Sequence, residues 1–480
     1  MPRAETTPFF GRDNELRRLK ELTAKKVASL VVIKGRRRIG KSRLAAEFAR
    51  QAQGYTALTF QGLPPTEHLT AAQEREDFAQ QIHRQLRIPA PRADDWNNLL
   101  WTLADQCRSG RYLIVFDEIN WMGSKDSTFL GKLKNAWDGE LSKNPKLILI
   151  LSGSLTGWIE RNILHHTGFL GRVSLDFTLP ELPIASCDHF WGKHRNRIAS
   201  YEKLRVLAVT GGVPRYLEEI DPALSADANI HRLCFSREGL LFNEFDRIFD
   251  DLFSTRNQIY RRLVAALVDG SLDLAGLHAA LGISKTGKLS EYVNDLVLAG
   301  FISRDYSWEL KTGTVSKLSS TRLSDNYLRF YLKFIRPRRR QIERGTLENL
   351  PNLDGILGLQ FENLVLNNRE SIFRRLRIDP NDVLADNPYN QRKTLRHEGC
   401  QIDYLIQTRQ NILYVCEIKF SKNTIPATVV TEMRRKVETI QFPRNMSFQP
   451  VLIHAGSSTD AIAEQEYFSA VIDIGELFSD

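Results

Sequence analysis

Gly35-Arg36-Arg37-Arg38-Ile39-Gly40-Lys41-Ser42 fits G-x-x-x-x-G-K-[ST], a spacing suited to cradling phosphate. Two glycines let the backbone bend close, so that successive N–H groups aim at one anion. A helix starting at the lysine adds its positive end. In such a loop Gly35, Arg38, Ile39, Gly40, Lys41, Ser42 and Arg43 surround the phosphates of a nucleotide, read here as ATP. Lys41 would reach the β- and γ-phosphates and Ser42 would hold Mg2+. Arg36, Arg37 and Arg38 are either solvated or extend towards a γ-phosphate or a neighbouring chain. Further along, Tyr112-Leu113-Ile114-Val115-Phe116 ends in Asp117-Glu118, a Walker B pattern. Asp117 would support Mg2+, usually through water, and Glu118 would polarise the attacking water.

A second constellation lies some 380 residues downstream of the first loop. Asp403 falls on an alternating stretch, Gln401–Ile406. Glu417 and Lys419 fall on the next, Ile412–Phe420, two apart and so on one face. Glu362, on an upstream helix, is a candidate third carboxylate. A strand acid followed by E-x-K on its neighbour resembles the PD-(D/E)xK pattern of restriction-endonuclease-like folds, although Ile402 stands where a proline often precedes the acid. That resemblance implies Mg2+ held by Asp403, Glu417 and Glu362. Lys419 would orient or activate water for phosphodiester attack. The same residues also suit a half-exposed hairpin whose acids and lysine form salt bridges.

These side chains need elements to hold them. Leu30–Ile33 reads as a buried parallel strand and Arg43–Ala49 as a helix; Tyr55–Phe60, Tyr112–Phe116, Leu147–Leu151 and Val173–Phe177 read as further strands. Continuous apolar runs suit parallel strands covered on both faces, with ligands at their carboxyl ends. The expected α/β architecture is a P-loop NTPase parallel sheet over 1–183, a helical lid over 184–254, a winged helix over 255–335, and an α/β restriction-endonuclease-like region over 336–480. In the third segment Ile259, Leu263 and Leu267 share one helical face, and Leu274, Leu277 and Leu281 another. A third helix capped by Ser284 would offer Lys285, Thr286, Lys288 and Tyr292 either to a DNA groove or to a protein. Arg336-Pro337-Arg338-Arg339-Arg340 reads as a basic linker, either solvated or tracking a phosphate backbone.

The 480 residues carry 42% hydrophobic and 26% charged side chains, ordinary for a globular chain of several domains. A net charge of +9 points to an anionic partner, nucleic acid first among them. Five scattered cysteines without a C-x-x-C pair argue against a zinc site or disulfide framework and suit a reducing cytosol. No apolar leader or membrane-length run is present, so a cytoplasmic protein without membrane contact is expected.

Phe9-Phe10-Gly11-Arg12-Asp13-Asn14-Glu15-Leu16 resembles the segment that opens AAA+ and STAND ATPases, where it packs beside the nucleotide base; this implies a role for Arg12. Thr210-Gly211-Gly212-Val213-Pro214 resembles the lid motif of STAND-type and archaeal-type ATPases, with Pro214 breaking the helix so that the lid wraps the nucleotide. Ser154, favoured over Ser152, occupies the sensor position on this resemblance. Arg172 either completes a γ-phosphate site or is a surface arginine. The whole chain resembles archaeal-type ATPases of the P-loop STAND/AAA+ group that carry a winged helix and a restriction-endonuclease-like C-terminal region. The resemblance implies ATP hydrolysis coupled to DNA or another nucleic acid, with or without Mg2+-dependent cleavage, or else a signalling switch whose C-terminal region binds without cutting. Because such ATPases often need a neighbour to complete the site, a homo-oligomer is among the expected partners.

Overall fold

The computed structural model describes residues 8–66, 68–253, 257–283, 287–347, 352–391, 393 and 398–479. Two compact units divide the chain, Met1–Pro180 and Glu181–Asp480.

The first unit is built on five strands: β1 (Ser29–Lys34), β2 (Thr56–Gln61), β3 (Tyr112–Asp117), β4 (Leu147–Gly153) and β5 (Val173–Thr178). All pair in parallel in the order β2-β3-β4-β1-β5. Alternation within β1 splits it between two cores. Leu30 and Val32 join Phe60, Phe116 and Leu151 on one face, while Val31 and Ile33 join Leu44, Phe48 and Ile150 on the other. Both faces of the sheet are therefore covered, which is why β1, β3 and β4 read as unbroken apolar runs. β4 lies between β1 and β3, so the ends of all three meet along one edge.

The second unit contains two sheets. β6 (Leu272–Asp273), β7 (Ile302–Trp308) and β8 (Val315–Leu323) form a small antiparallel sheet. It follows the helices Asn257–Ala266, Leu274–Leu281 and Lys288–Leu298 in an alternating helix–strand order. The larger sheet holds β9 (Val383–Gln391), β10 (Cys400–Thr408), β11 (Ile412–Phe420), β12 (Ser447–Ala455) and β13 (Ala470–Asp473), in the order β13-β12-β11-β10-β9. β9, β10 and β11 are an antiparallel meander; β12 and β13 add in parallel to β11. The parallel step from β11 to β12 is bridged by the helix Thr428–Thr439.

Where the sequence suggests a lid, a middle domain and a C-terminal domain, the structure has one unit with shared cores. Ile184, Trp191, Leu204, Leu207 and Leu217 pack into the same cluster as Phe361, Ile418, Ile453, Ile474 and Phe478. Trp308 of β7 joins Ile402 and Val415, and its indole N–H donates to Gln407 at 2.6 Å. The basic run is likewise no linker. Arg336–Arg344 is a helix that continues directly from the helical turn Tyr331–Ile335, with Pro337 near its start. Ile342 is buried, and Arg339 bonds to Asp246 at 2.8 Å and Glu343 at 3.0 Å. All five cysteines are buried free thiols, and among the described residues no helix is long and apolar enough to cross a membrane.

Candidate functional site

In the first unit the loop after β1 turns at Gly35, whose φ of 146° is a glycine conformation; a Cβ there would meet the Leu179 carbonyl oxygen at 2.9 Å. Arg38 (φ 68°) and Gly40 (φ 94°) bend the loop again before the helix Lys41–Gln51 begins. Gly40 places no side chain over the first turn of that helix, so its N–H groups stay open to an anion. The Lys41 ammonium is buried and bonds to the carbonyls of Gly35 and Arg36, both at 3.1 Å. Burial pulls its pKa down, opposed by the charges of Glu118 and Asp117.

Ser42 Oγ donates to Asp117 Oδ2 at 2.6 Å. Asp117 Oδ1 accepts the Glu118 N–H at 3.2 Å. Glu118 itself takes a φ of 50°, left-handed and uncommon for this residue type. Its Oε2 accepts from the Ser154 N–H at 3.1 Å and from Ser154 Oγ at 2.8 Å. One chain of contacts thus runs Ser42–Asp117–Glu118–Ser154 across the ends of β1, β3 and β4. Ser152 is fully buried in β4. A hydroxyl and a carboxylate side by side at a helix start form an oxygen set suited to Mg2+, and the open N–H groups with Lys41 suit a polyphosphate. The residues present fit ATP with Mg2+.

Two arginines fall elsewhere than the sequence suggests. Arg12 is buried; its guanidinium donates to the Pro180 carbonyl at 2.5 Å and the Ile39 carbonyl at 3.4 Å. It braces the phosphate loop through the Ile39 carbonyl. Arg172 precedes β5 at the start of the parallel sheet, where Leu30 pairs with Val173, whereas the phosphate loop follows the far end of β1. The run from Leu30 to Gly35 is about 17 Å at strand rise, beyond an arginine's reach. Arg172 instead makes a two-pronged contact with Asp138 at 2.6 and 2.8 Å, so it does not complete this chain's own phosphate site. Arg43 donates to the Pro8 carbonyl at 2.9 Å. Pro214 belongs to the second unit, in the first turn of Pro214–Leu217, and the preceding Gly212 N–H donates to Glu181 at 3.0 Å.

The parallel sheet, the glycine-turned loop after its first strand and the acid pair at the end of β3 define a P-loop ATPase domain. Residues 9–220 match the model of a family described as an ATPase domain predominantly from Archaea. An uncharacterized protein of Methanocaldococcus jannaschii is 23% identical over 343 residues, covering 71% of this chain and 72% of that one. Among solved structures, a Walker-type ATPase of Pyrococcus abyssi is similar with a TM-score of 0.48 and 16% identity, over 68% of this chain and 96% of its own. The ORC2 protein of Aeropyrum pernix, in ADPNP–ADP complexes, scores 0.42 at 13% identity, over 71% and 96%. At such scores neither likeness defines the fold; strand order and the phosphate loop do.

The second unit gathers the other group of charged residues. Asp403 lies on β10, one step from the Tyr404–Cys416 pair, and thus beside Glu417 of β11. Asp403 Oδ2 accepts the Ile418 N–H at 2.9 Å. Lys419 Nζ lies 2.9 Å from Glu417 Oε1 and 3.0 Å from Glu432 Oε2. A residue that sequence reasoning passed over completes the group: Lys436, on the helix Thr428–Thr439, lies 2.5 Å from Glu417 Oε2 and 3.8 Å from Asp403 Oδ1. Its only sequence signal is position, on the edge of a face formed by Val429, Val430, Met433 and Val437. Burial and then the Asp403 charge push the Glu362 carboxyl up to about 7. Asp403 is also raised, by burial and by Glu417.

The expectation that Glu362, Asp403 and Glu417 jointly hold a metal is not met in this arrangement. Among the described residues no three acidic, histidine or cysteine side chains are grouped to hold a metal ion. The Lys436 ammonium stands against both carboxylates, at 2.5 Å from Glu417 Oε2 and 3.8 Å from Asp403 Oδ1.

The raised Glu362 value has a consequence for stability. The folded chain keeps a proton that the unfolded chain releases above about 4.5. The stability this contributes is full below that value and is lost as pH rises through about 7. Glu362→Gln should therefore melt with the parent near pH 5 and roughly 3 °C above it at pH 8, by calorimetry. Equal midpoints at both pH values would contradict the buried placement.

Proposed function

We propose that the chain is an ATP-regulated, Mg2+-dependent DNA nuclease or DNA-processing ATPase. The observation that carries the nuclease half is the convergence of Asp403, Glu417 and Lys419 on adjacent antiparallel strands, within a helix–meander–helix–strand order like that of PD-(D/E)xK folds. In this reading Asp403 and Glu417 hold the cation, which polarises the phosphodiester and generates the nucleophile. Lys419, oriented by Glu417 and Glu432, steadies the developing charge. Supercoiled plasmid incubated with Mg2+ or Mn2+, with and without ATP, tests it. The parent should nick or linearise the DNA, and Asp403→Ala should lower the rate about 1,000-fold. Equal, intact plasmid with both proteins across divalent metals would remove the nuclease half.

A second reading is supported by Lys436, whose ammonium gives the carboxylates a positive partner from the chain itself. There the chain is a STAND-like ATP-controlled switch whose C-terminal sheet binds a partner and cuts nothing.

For DNA contact, the helix Lys288–Leu298 and its hairpin are read as a winged helix. Lys288 is exposed, whereas Tyr292 packs edge-on against Tyr260 at 5.4 Å. Ser284, Lys285 and Thr286 lie outside the described residues. Replacing Lys285 and Lys288 with glutamine should weaken DNA binding and reduce the slope of its salt dependence by about 2. An unchanged slope would assign this element to a protein partner. Assembly of several copies is part of the same proposal and is read by sedimentation with and without ATP.

A further inference from the structure

The four carboxylate oxygens of Asp403 and Glu417 divide into two sets. Asp403 Oδ2 is fixed by the Ile418 N–H at 2.9 Å, and Glu417 Oε1 by Lys419 at 2.9 Å. The other two, Asp403 Oδ1 and Glu417 Oε2, both face the Lys436 ammonium. These are the oxygens left over for a cation, and both belong to strands rather than loops. The Glu417 side chain is only 3% exposed, so its charge cannot be left to water. Lys436 reaches the site from a different element, on a four-carbon stem that can swing without moving the strands.

We propose that Lys436 is a resident counter-ion of this site, which a divalent cation must displace in order to load. This rests on reading the site as metal-dependent. The carboxylate pair then always has a positive partner: the ammonium before loading and the metal after it. Once displaced, the Lys436 ammonium is repelled by the metal and tethered close by, placed to take an oxygen of the substrate's phosphate. Lys419 differs in having a second carboxylate partner, Glu432, at 3.0 Å.

The test is Mn2+ binding to the full chain, read by calorimetry or by electron paramagnetic resonance, counting only the signal that Asp403→Ala removes. Lys436→Met and Lys436→Gln should bind Mn2+ at least about tenfold more tightly than the parent, since a competing charge has gone. Lys436→Arg should stay near the parent. A purely structural lysine predicts the reverse, with affinity falling as the site loosens. Unchanged or weaker binding in the folded Met and Gln variants overturns the proposal and leaves the metal-dependent reading standing. If neither parent nor variants show an Asp403-dependent signal, both fall together. A second measurement needs no variant. Amine-reactive labelling of Lys436 in the parent, followed by mass spectrometry, should accelerate as Mn2+ is added. A rate that does not change with metal overturns the proposal.

Discussion

Glu118→Gln leaves ATP bound and stops its turnover. The carboxylate sits at the end of β3, beside the Ser42–Asp117 contact and held by Ser154 through an N–H at 3.1 Å and a hydroxyl at 2.8 Å. Glutamine keeps the size and one acceptor oxygen, so the contact with Ser154 survives and the phosphate loop is undisturbed. What is lost is the negative charge that draws a proton from water, a contribution of about 100- to 10,000-fold. Single-turnover hydrolysis should drop by that factor, while a fluorescent ATP analogue binds with the parent's affinity. Retained turnover would mean that another group polarises the water. The Ser154 contact adds detail to the expectation. Glu118 is held at an uncommon φ of 50° with both the N–H and the hydroxyl of Ser154 on one carboxylate oxygen.

Lys41→Ala removes nucleotide binding itself. Its ammonium is already desolvated and hydrogen-bonded to the Gly35 and Arg36 carbonyls at 3.1 Å. Burial has depressed its pKa, so much of the cost of placing a positive charge in the loop is met during folding. A polyphosphate then meets a prepared cation. Losing it should weaken ATP binding about 100-fold or more, the range for charge-assisted bonds that are not replaced. Calorimetric titration of the folded variant is the check. Because the lysine also ties two loop carbonyls, its thermal midpoint is compared with the parent's in the same experiment. Tight binding by a well-folded Lys41→Ala would place the nucleotide elsewhere.

How much of this was written in the sequence depends on how local each feature is. The phosphate loop was legible because its chemistry needs eight consecutive positions. The acid pair was legible because a strand buried on both faces ends abruptly in charge. The order β2-β3-β4-β1-β5 was not, since nothing in β4's own residues says that it inserts between β1 and β3. Arg172 shows the same limit. Adjacent in sequence to a strand of the correct sheet, it sits at the wrong end of that strand, and only pairing register reveals this. Arg336–Arg340 looked like a linker because charge density was read without helix geometry, which puts Ile342 inward and Arg339 onto Asp246. Lys436 was hidden for a further reason. It serves residues on two strands from a helix, so no window of sequence contains the group it completes.

The core shared by Ile184–Leu217 with Phe361, Ile474 and Phe478 bears on how the chain comes into being. The family match closes at residue 220, yet the core of the helices just before that point is completed only by Phe361, about 140 positions later, and by Ile474 and Phe478, about 250 positions later. During synthesis the parallel sheet can close first, since its strands all lie before residue 180. The next segment must wait, exposed, for the end of the chain to return to it. A ribosome stalled at residue 330 should therefore carry a protease-resistant first unit followed by a freely cut stretch from about 184 to 220. The boundary by which such a protein is recognised and the boundary at which it can stand alone are then two different places.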